Sequence, residues 1–263
     1  NGGLRAQLQS LRPVDNGPQN FDDRTSDTRS LAGAYLTYQW ANAGLDAYLL
    51  DYRNENAHFD QGSGNEHRHT YGLRFFGSVD RLSWNWEAMF QNGRFGQSEI
   101  AAWSVGTETS YKLAPLTFRV RANVISGDRS ASDPKLETFN PMFPKGKYFG
   151  ELSPIGPYNL INVQPSIDID LGHNLTLGVS AAAYWRESLG DGVYGMPGNL
   201  LRASNGSNAR FIGHQEEIVL GWQPTPLLSF TASYSIFTPG AFIRETGPAK
   251  AIHMVGLEAM YRL

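Results

Sequence analysis

Residues 82–90 read Leu-Ser-Trp-Asn-Trp-Glu-Ala-Met-Phe. Leu82, Trp84, Trp86, Ala88 and Phe90 occupy one phase of a period-2 pattern; Ser83, Asn85, Glu87 and Met89 occupy the other. Successive side chains of a strand point to opposite faces, so this stretch is a strand with an apolar face and a largely polar one. From 116 to 124, Leu116, Phe118, Val120, Ala122 and Val124 alternate with Thr117, Arg119, Arg121 and Asn123. From 161 to 171, Ile161, Val163, Ile167, Ile169 and Leu171 oppose Asn162, Gln164, Ser166, Asp168 and Asp170. Comparable runs lie near 101–113, 175–187, 227–237 and 252–263, and less regular ones near 3–12, 29–40, 45–53, 67–77 and 212–223. Helical spacing is hard to find anywhere, and the pattern predicts an all-β chain of about twelve strands.

The links between these runs alternate in length. Short ones fall at 41–44, 78–81, 113–115, 172–174 and 223–226, and long ones at 13–27, 54–66, 91–99, 127–157, 188–211 and 238–251. A soluble sandwich has no reason to sort its loops this way. An antiparallel barrel of the bacterial outer membrane does, with short periplasmic turns, long extracellular loops and an even number of strands. In that orientation Tyr38, Trp40, Trp84, Tyr111, Trp222 and Tyr261 fall at the periplasmic ends of outward faces, and Trp103 and Trp185 at the opposite ends. Two such girdles are what a lipid-facing band calls for. The expectation is a single barrel domain over 1–263, closed into a cylinder. Glu216 fits poorly, since it shares a phase with lipid-facing Ile218, Leu220 and Trp222. A β-bulge, an oligomer contact or a shifted register would each resolve it.

Composition supports this reading. The 263 residues carry 41% hydrophobic and only 18% charged side chains, and the mean hydropathy is -0.37. No apolar run approaches the ~18 residues that a membrane-spanning helix needs, whereas a spanning strand needs only about 9–11, half of them free to be polar. A net charge of -3 gives no reason to expect a nucleic-acid partner. The lack of cysteine excludes disulfides and thiolate metal sites. The chain starts at Asn1 with neither an initiator Met nor a signal peptide, so either a leader was removed or the sequence begins partway through a longer protein.

The inward phase is charged. It carries Arg74, Arg119, Arg121 and Arg186, with Arg68 near the outer rim and Arg262 near the bottom, beside Glu87, Glu108, Asp168, Asp170 and Glu258. Fixed charges in a lumen select permeants by sign, and the paired guanidiniums of Arg119 and Arg121 suit carboxylates. The competing use of these nearly balanced charges is to pair with one another and brace the wall. His67 and His69 point the same way, but the sequence identifies no third metal ligand. A lipid-hydrolysing barrel would need His beside Ser on the outward face, and His214 and His253 have no clear Ser partner, so no enzyme is expected. The loop 139–157, FNPMFPKGKYFGELSPIGP, combines four Pro, several aromatics and Lys145 and Lys147 around Tyr148. Pro stiffens a backbone and aromatics need a surface to pack on, so this loop is expected to be ordered, over or inside the mouth. Arg244 and Lys250 sit in a further loop.

These segments carry a resemblance. FDDR at 21–24, FDQGSGNEHRHTYGLRFFG at 59–77, GRFG at 93–96, SGDR at 126–129, FNPMFPKGKYFGELSPIGPYNLIN at 139–162, DGVY at 191–194, SNARFIGHQ at 207–215, FIRETGPAK at 242–250 and VGLEAMYRL at 255–263 resemble the alginate-export family of outer-membrane proteins. The resemblance implies a monomeric barrel that passes an anionic polysaccharide, a polyuronate, through a basic lumen, with periplasmic export components as candidate partners. It also implies more strands than twelve, so the chain either matches the C-terminal two-thirds of the family barrel or is a shortened relative. Leu263 stands where such barrels commonly end in Phe.

The functional expectation is a passive channel for an anionic saccharide or small anionic solute. The alternatives are a substrate-specific porin for sugar acids or aromatic acids, and a plugged structural or adhesive barrel. No nucleotide, metal or redox cofactor is expected. The expected partners are the solute and outer-membrane lipid.

Overall fold

The computed structural model describes residues 2–262, so Leu263 lies outside the described residues. Twelve long strands form one antiparallel meander in sequence order. They are β1 (Gly3–Leu11), β2 (Arg29–Trp40), β3 (Ala43–Phe59), β4 (Gly62–Val79), β5 (Leu82–Phe95) and β6 (Ser98–Leu113). The second half comprises β7 (Leu116–Ile125), β8 (Leu160–Asp170), β9 (Leu175–Trp185), β10 (Phe211–Thr225), β11 (Leu228–Pro239) and β12 (Ile252–Tyr261). A two-residue strand, Lys135–Leu136, adds to β6 in parallel.

Pairing confirms the phases read from alternation. One row across the wall runs Leu36, Ala47, Leu73, Ala88, Val105, Val124, and the next runs Ala34, Leu49, Tyr71, Phe90, Trp103. The large residues of these rows face away from the molecule; Leu73 is 57% exposed. A water-soluble sheet would bury such rows, whereas hydrocarbon solvates them.

Two long loops expected from sequence are instead strand hairpins. β3 and β4 continue to a turn at 60–61, and β5 and β6 to a turn at 96–97. Alternation fails at 54–57 because a bulge interrupts the register there, after which Ala57, His58 and Phe59 pair with Gly64, Ser63 and Gly62. Above the hydrocarbon the outward side chains meet water at no cost, while Ala57, Phe59 and Phe95 turn inward into a buried cluster, so the lipid-facing pattern vanishes while the backbone ladder persists. Gly96, at φ +56, takes the left-handed conformation its tight turn requires. The remaining links at this end are true loops at 12–28, 126–159, 186–210 and 240–251; the last holds a short helix, α1 (Ala241–Thr246).

Among the described residues, β1 pairs only with β2 and β12 only with β11. The wall therefore has two free edges, where the sequence reading expected a closed cylinder. An unsatisfied backbone group in hydrocarbon costs several kcal/mol, so these edges are where the wall needs sealing in a membrane. Glu216 faces outward, as its phase predicts. Its own pairing with Ala181 and Ile236 is regular, and the nearest bulge lies higher, between Tyr184 and Trp185. On the same face His214 Nε2 lies 3.3 Å from its carboxylate.

Replacing Leu73 by Lys should lower the unfolding free energy measured in lipid bilayers by about 2–4 kcal/mol, the magnitude for a midplane cation on the lipid face. A change within about 0.5 kcal/mol, as at an exposed site in water, would count against the lipid-facing assignment.

Candidate functional site

The inward faces change character with height. From rim to interior, β6 presents Ile100, Ala102, Ser104, Gly106 and Glu108, and β8 presents Leu160, Asn162, Gln164, Ser166 and Asp168. Apolar positions near the rim need covering, and the loops cover them. Phe139, Phe149, Ile155, Tyr158, Val193, Tyr194 and Phe242 join Ile100, Ala102, Ile125, Leu160, Tyr184, Ile212 and Phe237 in one buried core. The mouth of the wall is thus packed by its own loops.

Residues 141–153 descend from this core as a strap across the lumen. At one end Phe143 packs edge-on against Tyr52 of β3. At the other, Lys147 Nζ lies 3.1 Å from Glu258 of β12 and 2.6 Å from Glu151. Hydrogen bonding to Glu151 and Glu258 holds the Lys147 ammonium above the usual lysine range. Between them, the Tyr148 hydroxyl donates to Asn123 Oδ1 (3.1 Å), and Arg121 donates to the Tyr148 carbonyl (2.9 Å). Gln164 and Gln215 both donate to the Phe149 carbonyl at 3.3 Å. The backbone at Gly150 has φ +119, and a Cβ there would lie 2.8 Å from Glu217 Oε1, so glycine is needed for the strap to seat.

Below the strap two charged networks line the wall. Arg121 donates to Glu108 through Nη2 (2.5 Å) and Nε (3.0 Å). Arg119 lies 3.7 Å from the same carboxylate and 3.1 Å from Asp168. Both guanidiniums remain about a third exposed and open on a recess of about 260 Å³ that also includes Gln164, Ser180 and Glu217. In the second network Arg74 bonds Asp46 (3.0 Å) and Asn85 (2.6 Å). Tyr35 and Tyr48 stack at 5.1 Å, their hydroxyls donating to Asp46 and Glu87. Asp170 sits at the bottom, where its carboxylate accepts the Gly172 amide and caps the turn.

Two arginines assigned to the lumen from sequence do not line it. Arg68 is 0% exposed and held by Glu66, Gln91 and the Thr138 carbonyl, because loop 126–159 folds over it. Arg186 is also 0% exposed. It donates to the carbonyls of Leu189, Asp191, Ser207 and Ala209, and its guanidinium lies 4.0 Å from the Phe242 ring. Loop packing at the rim buries both side chains. Lys145 is exposed on the strap, Lys250 is exposed in the loop 240–251, and Arg244 donates to the Pro239 carbonyl.

Several residues went unread. Asp46 and Tyr48 share the inward phase of a weakly alternating run, and Glu217 takes the inward phase beside outward Glu216. The third partner missing for His67 and His69 is Asp51 on the neighbouring strand, with all three donor atoms within 4.8 Å of one another. Asp128 and Asp191 form a buried pair in the loops, joined by the Asp128 amide donating to Asp191 Oδ2 at 3.0 Å.

Burial, with Asp191 and further acids nearby, raises the Asp128 carboxyl to about 6. Burial raises Asp191 as well. A carboxyl whose folded pKa exceeds its unfolded value favours the fold while protonated. The contribution of the Asp128 carboxyl to loop stability is therefore fullest below about pH 4 and is lost as pH rises from 3.8 through about 6. Amide protection over 126–140, corrected for the intrinsic pH dependence of exchange, should rise on acidification from about pH 7 to about pH 5 and rise less in Asp128→Asn. Equal protection at both pH values in the unaltered chain would contradict it.

The sequence matches the alginate export family model over residues 2–256. A search of curated proteins finds no match. Among solved structures, the chain is similar to OccK11 (OpdR) of Pseudomonas aeruginosa, with a TM-score of 0.54 at 15% identity. That alignment covers 98% of this chain and 65% of OccK11, so the chain spans less than two thirds of that protein's length. OccK5 (OpdH) of Pseudomonas aeruginosa aligns with a TM-score of 0.47 at 15% identity, covering 99% of this chain and 78% of that one. The outer membrane phospholipase (OMPLA) dimer of Salmonella typhi aligns at 0.36 and 12%, covering 89% and 79%. Of these, only the OccK11 likeness, at a TM-score of 0.54, bears on the fold, and at 15% identity it bears on nothing else. The match over nearly the whole sequence, joined to a lipid-facing antiparallel wall, establishes that this chain belongs to the alginate export family of the bacterial outer membrane.

Proposed function

We propose that this chain forms the wall and internal strap of a passive outer-membrane channel for an anionic saccharide of the polyuronate type. The observation that carries this reading is the Arg119–Arg121 pair, two guanidiniums on adjacent inward positions that open on the recess beneath the strap. Each is already ion-paired with Glu108, and Arg119 also with Asp168. A uronate carboxylate entering the recess would exchange with these acids, since a planar guanidinium fork accepts one carboxylate as readily as another. Exchange rather than tight capture suits transport, where a permeant must leave as easily as it enters. Nothing in the arrangement supplies energy, so flow follows the gradient.

A second reading has its own support. The loop core and the strap together could plug the lumen, which favours a structural or adhesive role. An enzyme finds less support. His214 neighbours Glu216 and His253 bonds Tyr234, while His58, which does contact Ser63 (2.8 Å), sits on the exposed upper part of the β3–β4 hairpin.

Planar-bilayer recording separates these readings. The unaltered channel should prefer anions, and replacing both Arg119 and Arg121 by Ala should lower the anion-to-cation permeability ratio by roughly two- to threefold. Deleting 141–153 should raise conductance. Cation preference insensitive to both arginines would refute the anionic permeant, and conductance near zero without the strap would favour the plug.

A further inference from the structure

We propose that Asp51, His67 and His69 form a divalent transition-metal site on the outward face of the wall, at the upper border of the hydrocarbon band. The site is independent of the lumen and of the permeant. Its position follows from the register. Outward residues of β3 and β4 are apolar up to Leu49 and Tyr71, and the next outward positions upward are Asp51 and His69, which pair directly, followed by His67.

The donor set fits a cation better than it fits an accident of surface charge. Asp51 Oδ2 lies 2.6 Å from His67 Nε2 and 3.0 Å from His69 Nδ1, so one oxygen serves both rings. The two rings meet at a centroid distance of 4.7 Å. Two imidazoles and one carboxylate are a recurrent set for zinc and other borderline metals, with ligand distances of about 2.0–2.2 Å. Seating a cation needs the Asp51 oxygen to move off the two ring nitrogens by less than about 1 Å, with each ring's proton on its other nitrogen. The donors stand on two strands locked by the backbone ladder, so little order is lost on binding. Arg53 lies 3.4 Å from Asp51 Oδ1, which leaves Oδ2 as a single donor atom. Its charge, with that of Arg94 opposite His67, opposes a dication and weakens the site relative to an uncharged surround. The remaining coordination positions face solvent. A bound cation would pin β3 to β4 where their hairpin leaves the membrane.

Isothermal titration calorimetry of ZnCl2 into the refolded chain in detergent should give one saturable micromolar site. His69→Ala and Asp51→Asn should each weaken it by roughly tenfold or more. His253→Ala, away from the cluster, should leave it unchanged. Because these positions are partly exposed, folding of each variant can be checked by retention of the heat-modifiable band on electrophoresis. The site is overturned if no saturable heat appears below millimolar zinc, or if folded His69→Ala and Asp51→Asn bind as the unaltered chain does.

Discussion

A backbone N–H or C=O in hydrocarbon has no water to bond, so every peptide group of a spanning strand must be satisfied by its neighbour. The antiparallel ladder from β1 to β12 meets that demand everywhere except at the outer edges of β1 and β12, and most of the molecule follows from it. Once the ladder is in place, side-chain direction is no longer free. Each strand must give alternate residues to lipid and to the interior, and one slipped residue would exchange the two faces. The lipid-facing rows through Leu73 and Val105 and the polar stack of Arg119, Arg121 and Glu108 are two sides of this one constraint. The same constraint marks the free edges of β1 and β12 as the places where the wall must meet another strand.

The interior is organised by height rather than by charge alone. Low in the wall, acids and bases pair through side chains and leave a wet recess. Near the rim the inward positions turn apolar and recruit the loops into a core that buries Arg68 and Arg186. A buried guanidinium is tolerated only when its donors are met, and Arg186 meets four carbonyls and an aromatic face. The strap descends from this core, so its place in the lumen is held from above by packing and from the sides by Gln164, Gln215, Glu217 and Glu258.

Alternation made the fold legible because one face of each spanning strand has to be apolar. All twelve strands were readable for that reason, and so was the outward direction of Glu216. The reading weakened wherever that pressure lapsed. Beyond the membrane, β3 to β6 keep their hydrogen bonds without a lipid-facing apolar stripe, and residues 54–66 and 91–99 therefore read as loops. The inward phase of Arg68 and Arg186 could be read locally, whereas their burial depends on loops from distant parts of the chain. Asp51 is separated from His67 by 16 residues and became their neighbour only through the β3–β4 register.

The chain lacks cysteine, so single cysteines can be introduced and spin-labelled one at a time along 103–111 in reconstituted bilayers. Collision with lipid-soluble oxygen should peak at 103, 105, 107, 109 and 111, and be low at 104, 106, 108 and 110, in a strict two-residue rhythm. A flat profile, or water-soluble relaxant reaching the odd positions as freely as the even ones, would contradict a wall whose alternate side chains meet hydrocarbon.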